Sequence, residues 1–345
     1  MPQIMDPMRD VRRWLWVIAA LVAAMVMVGG ATRLTGSGLS ITEWNVVTGV
    51  FPPLTDAGWL AEFEKYKAIP QYQAINKGMS LAEYKFIYFW EWAHRLLGRI
   101  VGFAFALPLA FFWWRGKIDR ALGWKLVLLL VLGGLQGVAG WWMVASGLSV
   151  RTDVSQYRLA VHLTLACIIF VGLVWVATTL LPKRKDMGRR GKIFASVLIL
   201  LSLVQVFLGA IVAKTNAGLT FNTWPLIDGV FHPRREQLFL LEPWWRNIFE
   251  NVLAVQFNHR MMAYALWIAS FGYLIYQRRK AAELQATILY LLISAQAALG
   301  IVTLLLAVPL ELGLAHQAGA VVVLAYASYH AARLGDLNNT RLRGA

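Results

Sequence analysis

Along this chain, apolar runs long enough to cross a bilayer alternate with short polar segments. Uncharged stretches cover residues 14–32, 126–150, 159–181, 193–213, 284–309 and 312–332, and a spanning helix needs about 20 mostly apolar residues. Carried through the more polar stretches, the pattern predicts eight helices, at roughly 14–32, 86–114, 124–145, 159–181, 193–213, 248–276, 286–308 and 313–333. The expected fold class is an all-α integral membrane protein with eight transmembrane helices. Composition agrees: 59% of the 345 residues are hydrophobic and only 15% are charged, less charge than a water-soluble domain carries. Many of the 16 tryptophans lie near run ends, where an interfacial belt places them.

The formal net charge is +15. Its distribution argues against a nucleic-acid partner, because the basic residues occupy short segments between the apolar runs. With the N-terminus taken as cytoplasmic, nineteen of the 33 Lys and Arg fall on that side and eleven on the other, while Arg95, Arg99 and Arg260 fall inside helices. The positive-inside rule then puts both termini in the cytoplasm, with the basic excess facing the anionic inner leaflet. Cys167 sits inside an apolar run and reads as packing. The first residues resemble neither a cleaved signal nor a transit peptide, since Asp6 and Asp10 interrupt the basic leader and 14–32 is long enough to span.

The chain also repeats itself. Residues 35–53 read TGSGLSITEWNVVTGVFPP, and residues 215–233 read TNAGLTFNTWPLIDGVFHP. Further along, Trp92-Ala93-His94-Arg95 aligns with Phe257-Asn258-His259-Arg260, Gln136 to Gly140 with Gln296 to Gly300, and His162 with His316. Each copy holds four spans, so both should have the same orientation and be related by a pseudo-two-fold axis along the membrane normal. The expected organisation is an N-terminal four-helix half at 1–181, a basic cytoplasmic linker at 182–192 and a C-terminal four-helix half at 193–345. The first outer loop, about 33–85, is long enough to suggest a function or partial disorder, and 81–88 reads as an outward extension of the second helix.

Four of the six histidines (His94, His162, His259 and His316) fall at matched places in the two copies, in the outer part of the membrane. Imidazole is a common metal ligand and an axial ligand of haem iron. A single intramembrane histidine is explained equally well by a hydrogen bond across helices. Four at matched depth in two copies favour ligation. Zinc fits less well, with two histidines per half where a structural site wants four ligands. Small residues one turn on (Gly98, Ala166, Ala263, Ala320) suit either a flat macrocycle or close helix packing. His232 and His330 have no counterpart and read as structural.

Arg95 and Arg260 follow the paired histidines and could bind haem propionates, though Glu91, four residues before Arg95, offers a nearer partner. Lys214, Arg234 and Arg235 are vaguer candidates. Glu91 lies three residues before His94, and its counterpart is Gln256, which cannot ionise. The two halves thus share a ligand frame and differ in acid chemistry. That difference points to reaction in the N-terminal half and a fixed cofactor in the C-terminal half.

With these residues together, Glu91-x-x-His94-Arg95, Asn258-His259-Arg260, His162, His316 and the two outer-loop blocks, the chain resembles the haem A synthase family of respiratory bacteria and mitochondria over nearly its whole length. The resemblance implies oxidation of the C8 methyl of haem O, through a hydroxymethyl stage, to the formyl group of haem A, destined for terminal cytochrome oxidase. It implies a haem b cofactor on His259 and His316, a substrate haem site at His94 and His162, and Glu91 as the essential carboxylate. Some members carry a cysteine pair in the first outer loop. Residues 33–85 here contain none, which resembles the cysteine-free branch of proteobacteria and mitochondria; with no transit peptide visible, a bacterial inner membrane is the expected location. Haem O synthase, cytochrome oxidase assembly factors and a second copy of the chain are possible partners by the same resemblance. Two rivals use the same histidines. A di-haem cytochrome b moving electrons from a quinol predicts two tightly held haems of one kind, and a haem exporter or insertion chaperone predicts binding without covalent change.

Overall fold

The computed structural model describes residues 6, 8–46, 48–181 and 189–334. Residues 182–188 of the expected linker, and the end of the chain beyond 334, lie outside the described residues. Twelve α-helices appear among those described: α1 (Arg9–Leu34), α2 (Asp56–Lys67), α3 (Pro70–Ala74), α4 (Leu81–Trp114), α5 (Arg120–Ala145), α6 (Gln156–Thr179), α7 (Arg189–Thr215), α8 (Ala217–Thr220), α9 (Arg235–Leu238), α10 (Val252–Gln277), α11 (Glu283–Leu305) and α12 (Leu310–Arg333). Seven of the long helices are long and apolar enough to cross a membrane. The expected eighth, α10, has 26 residues but is not among the seven. Gln256, Asn258, His259 and Arg260 crowd polar groups into little more than one turn of it.

The helices start where local chemistry lets them. Ser80 accepts from the Glu83 backbone N–H while the Glu83 carboxylate reaches back to the Ser80 N–H, a reciprocal capping box. That cap starts α4 at Leu81, so residues 81–88 extend the helix as expected. Asp119 and Asn251 cap α5 and α10 in the same way, each side chain accepting from backbone N–H groups of the first turn. The faces left exposed are apolar, for example Phe103, Leu107, Leu128, Leu135, Leu200 and Ile268, as helices facing lipid require.

The packing partners repeat along the chain. α1 packs on α4 and α6, and α5 on α6; α7 packs on α10 and α12, and α11 on α12. Between the two sets, α6 lies against α7 and α12, and α1 against α12. Cys167 is buried and free, in the apolar cluster that joins α1, α4, α5, α6 and α12. At one end of the molecule, Lys117 pairs with Asp10 at 2.7 Å and Arg12 donates to the Leu180 carbonyl. The start of α1, the α4–α5 connection and the end of α6 therefore lie together. His330, at the end of α12, hydrogen-bonds the Tyr273 hydroxyl at 2.7 Å, and His232 packs edge-on against Phe257.

One pair of contacts breaks the repeat. α10 and α11 pack closely, whereas α4 and α5 meet far less extensively. Trp267 Nε1 on α10 donates to Ser294 Oγ on α11 at 3.0 Å, and Trp267 and Phe271 both lie against Tyr290. In the register set by the paired histidines and glutamines, those positions in the first half are Gly102, Gly134, Ala106 and Leu130. Gly102 and Gly134 have nothing within 4 Å of where a Cβ would stand.

The long outer loop is an ordered cap. α2 and α3 lie within it, and Phe63, Tyr66, Ile69, Tyr84, Ile87 and Tyr88 form a largely aromatic cluster with Leu39, Val144 and Val154. This cluster clamps the loop onto the outer end of α4.

Candidate functional site: two imidazole pairs and one anchored carboxylate

His94 on α4 and His162 on α6 lie within electrostatic range of one another, and so do His259 on α10 and His316 on α12. In each half, both helices carrying the pair pack on a shared neighbour, α1 or α7. All four imidazoles are half-buried. Among the described residues, no three His, Cys, Asp or Glu side chains converge as a metal cluster would need. Histidines arranged in twos would suit a flat macrocycle whose iron takes imidazole ligands.

Each imidazole rests on a glycine of an adjacent helix. A Cβ on Gly29 would stand 2.9 Å from His94 Cε1, on Gly140 2.9 Å from His162 Cε1, on Gly209 3.2 Å from His259 Cε1 and on Gly300 2.7 Å from His316 Cε1. Three of these glycines follow a glutamine by four residues, on the same helix face. Gln136 Nε2 donates to the His162 carbonyl at 2.9 Å, Gln205 to the His259 carbonyl at 3.2 Å and Gln296 to the His316 carbonyl at 2.7 Å. The same amide nitrogens lie 3.4 Å from His162 Nε2, 3.1 Å from His259 Nδ1 and 3.1 Å from His316 Nδ1. The fourth glycine, Gly29, follows Met25.

The small residues near the histidines are used for packing. The Met25 methyl lies against Gly98, Leu34 against Gly313, and the Gln296 amide against Gly319.

Glu91 is buried and held by three donors: Ser40 Oγ at 2.8 Å, the Ile41 backbone N–H at 2.9 Å and Arg95 Nη2 at 2.7 Å. Only an acceptor suits all three, so the pocket is shaped for a carboxylate. In the second half Gln256 Nε2 instead reaches the Phe221 carbonyl, at 3.5 Å, and its Oε1 has no partner. Phe221 is the counterpart of Ile41, so the loop residue that donates to the acid in one half accepts from the amide in the other.

The arginines bind loop carbonyls. Arg95 donates to Ile41 and Glu43, Arg99 to Asn45 and Val46, and Arg260 to Phe221, Thr223 and Leu226. Both repeated outer-loop blocks are strapped to their helix this way. In the first loop Lys65 beside Glu43 holds its carboxyl below the usual carboxylate range. Lys214 pairs with Asp153 at 2.7 Å and lines a cavity of about 520 Å³ with Arg151, Tyr157, Arg246 and Glu250. There the Arg246 guanidinium holds the Glu250 carboxyl low. Arg234 and Arg235 are exposed and do not line it.

The sequence matches the family model described as cytochrome oxidase assembly protein, COX15-CtaA, over residues 12–328. The chain belongs to this family. A haem A synthase of Rhodopseudomonas palustris (strain HaA2) is 55% identical over 332 residues, covering 94% of this chain and 90% of the relative. One of Bradyrhizobium diazoefficiens is 54% identical, covering 96% and 93%, and one of Brucella suis 53% identical, covering 93% and 91%.

For this COX15-CtaA member, reading the sequence found the four histidines, Glu91 and Arg95 as a group. It did not find Ser40 and Ile41 as the anchors of Glu91, nor the four glycines as imidazole rests. The signal for the latter was present, since Gln205-x-x-x-Gly209 has the spacing of Gln136-x-x-x-Gly140 and Gln296-x-x-x-Gly300. Gly140→Ala and Gly300→Ala should each displace an imidazole. Where the displaced imidazole ligates haem, the expected result is a fall in the Soret absorbance per purified protein.

Proposed function

We propose that this protein is an oxidoreductase that converts haem O to haem A, oxidising the C8 methyl through a hydroxymethyl stage to a formyl group. The observation that carries the reading is the contrast between two matched imidazole pairs, only one of which has an anchored carboxylate on the same helix. Relatives named haem A synthase, similar over nine-tenths of the chain, support it.

On this reading His259 and His316 hold a haem b cofactor, and His94 and His162 receive haem O as substrate. The residues fit such a group. The buried Nδ1 atoms of His94 and His162 have no partner in the protein, which leaves those imidazoles free to meet a ligand, and Gln205 and Gln296 hold the backbone of His259 and His316. Arg260, whose Nε has no partner, is the candidate cation for a haem propionate, and Arg95 is a second one although Glu91 and two loop carbonyls already engage it. Haem b, when bound, supplies one-electron redox chemistry. Each oxidation step passes two electrons to an external acceptor and releases protons from the reacting carbon, with the hydroxyl oxygen supplied from outside the protein. Glu91, fixed by Ser40, Ile41 and Arg95, offers a negative charge one turn from His94. It stabilises positive charge developing on that carbon or accepts its proton.

Haem O is apolar and carries a long isoprenoid tail, so its route runs through lipid. The α4–α5 seam suits that route. Gly102 and Gly134 leave it open where Trp267 and Ser294 close the matching seam. The arrangement this reading assumes is eight spans, with α10 the eighth, in two four-helix bundles about a pseudo-two-fold axis along the membrane normal, the halves being 1–181 and 193–345. The repeated packing partners support it. The ion-paired, basic end that holds the start of α1 is the cytoplasmic one, in a bacterial inner membrane. Haem O synthase, cytochrome oxidase assembly factors and a second copy are candidate partners.

Haem extracted from the purified protein and weighed should include a species with both an isoprenoid tail and a formyl group; recovering only haem b would reject the reading. Glu91→Gln should lower conversion of haem O by about 100-fold or more at unchanged haem content. Gly102→Trp with Gly134→Ser should slow uptake of haem O from lipid vesicles while haem b content stays the same.

A further inference from the structure

Three of the four imidazoles are tethered from a neighbouring helix by the glutamine four residues before their glycine rest. The fourth is not. Met25 stands where Gln136, Gln205 and Gln296 stand relative to Gly140, Gly209 and Gly300. A thioether has no hydrogen to donate and accepts only weakly. Among the described residues, no side chain donates to the His94 carbonyl, and the buried His94 Nδ1 has no partner. His162 Nδ1 is also unpaired, but Gln136 holds the His162 backbone and lies 3.4 Å from its other ring nitrogen. The Met25 side chain instead lies over Gly98, one turn beyond His94, with its methyl 3.1 Å from where a Cβ would stand.

We infer that Met25 is a positioning residue that leaves His94 the releasable ligand of the substrate haem. The inference rests on the proposed function, which makes the first half the site where one haem must arrive and another leave. A metal ligand without a hydrogen-bonded second shell is oriented less firmly and binds more weakly, by about 10–100-fold in affinity. The structure puts that defect at one of four equivalent positions, and that position lies in the half that turns over. His162, tethered by Gln136, is the ligand that stays. The C-terminal pair, tethered at both histidines, is built to retain its haem.

The test uses the full-length protein loaded with haem O. It compares wild type, Met25→Gln, Met25→Leu and Gln205→Met. The readouts are the six-coordinate, low-spin share of the ferric spectrum and the rate at which haem passes to an excess of apo-globin. Met25→Gln should raise the low-spin share at the first site and slow loss of its haem about tenfold or more, with haem b retention as the internal check on folding. Met25→Leu, which matches the shape and adds no hydrogen bond, should behave as wild type. Gln205→Met should speed loss from the second site alone. The inference is overturned if Met25→Gln leaves both spectrum and rate unchanged, or if Met25→Leu shifts them as much as Met25→Gln. A wild-type protein that takes up no haem O at His94 and His162 overturns the proposed function as well.

Discussion

A polar side chain placed inside a spanning helix has no water to fall back on, so it must meet another polar group of the protein or a ligand. That constraint organises this molecule. The four matched imidazoles, the guanidiniums of Arg95, Arg99 and Arg260 and the carboxylate of Glu91 lie within the long helices, and much of what surrounds them satisfies their hydrogen bonds. The guanidiniums of Arg95, Arg99 and Arg260 draw the carbonyls of the outer loops down onto α4 and α10. Glu91 draws in Ser40 and the Ile41 N–H. The loops are ordered in part because the helices beneath them need partners, and the aromatic cluster around Tyr66 and Tyr84 then seals the first loop in place.

The atoms that remain unsatisfied are informative for the same reason. Buried polar atoms without partners are few in native structures and need an explanation. Here several of them gather at the imidazole pairs: the Nδ1 atoms of His94 and His162, and the Oε1 atoms of Gln136, Gln205 and Gln296. The haem ligation proposed above would engage the imidazole nitrogens that packing leaves unpaired.

Duplication explains the shared frame, and departures from it mark the function. A repeat preserves what both copies need: imidazole, glycine rest, glutamine tether and arginine strap. Where the copies differ, one half has been relieved of a constraint that the other keeps. Glu91 against Gln256 changes the charge beside the histidines. Gly102 and Gly134 against Trp267 and Ser294 open one helix seam and close the other. Met25 against Gln205 removes one tether. On the proposed function, all three suit a first half that reacts and exchanges and a second half that holds.

The long helices were legible in the sequence, because lipid imposes length and apolarity on every span and both are countable along a chain. The exception is instructive: α10 forms, but its polar turn around His259 keeps it from standing out on hydropathy. The repeat, the histidine pairs and the Glu91–Gln256 difference were equally legible, since each is a comparison of one residue with another at a known offset. Tertiary structure alone decided that Ser40 and Ile41 reach a carboxylate some fifty positions away, that a loop read as functional or partly disordered folds into α2 and α3, and that two adjacent helices splay in one half and close in the other. These outcomes depend on which surfaces meet across helices. Periodicity shows which face of a helix is polar, but only packing determines what that face touches.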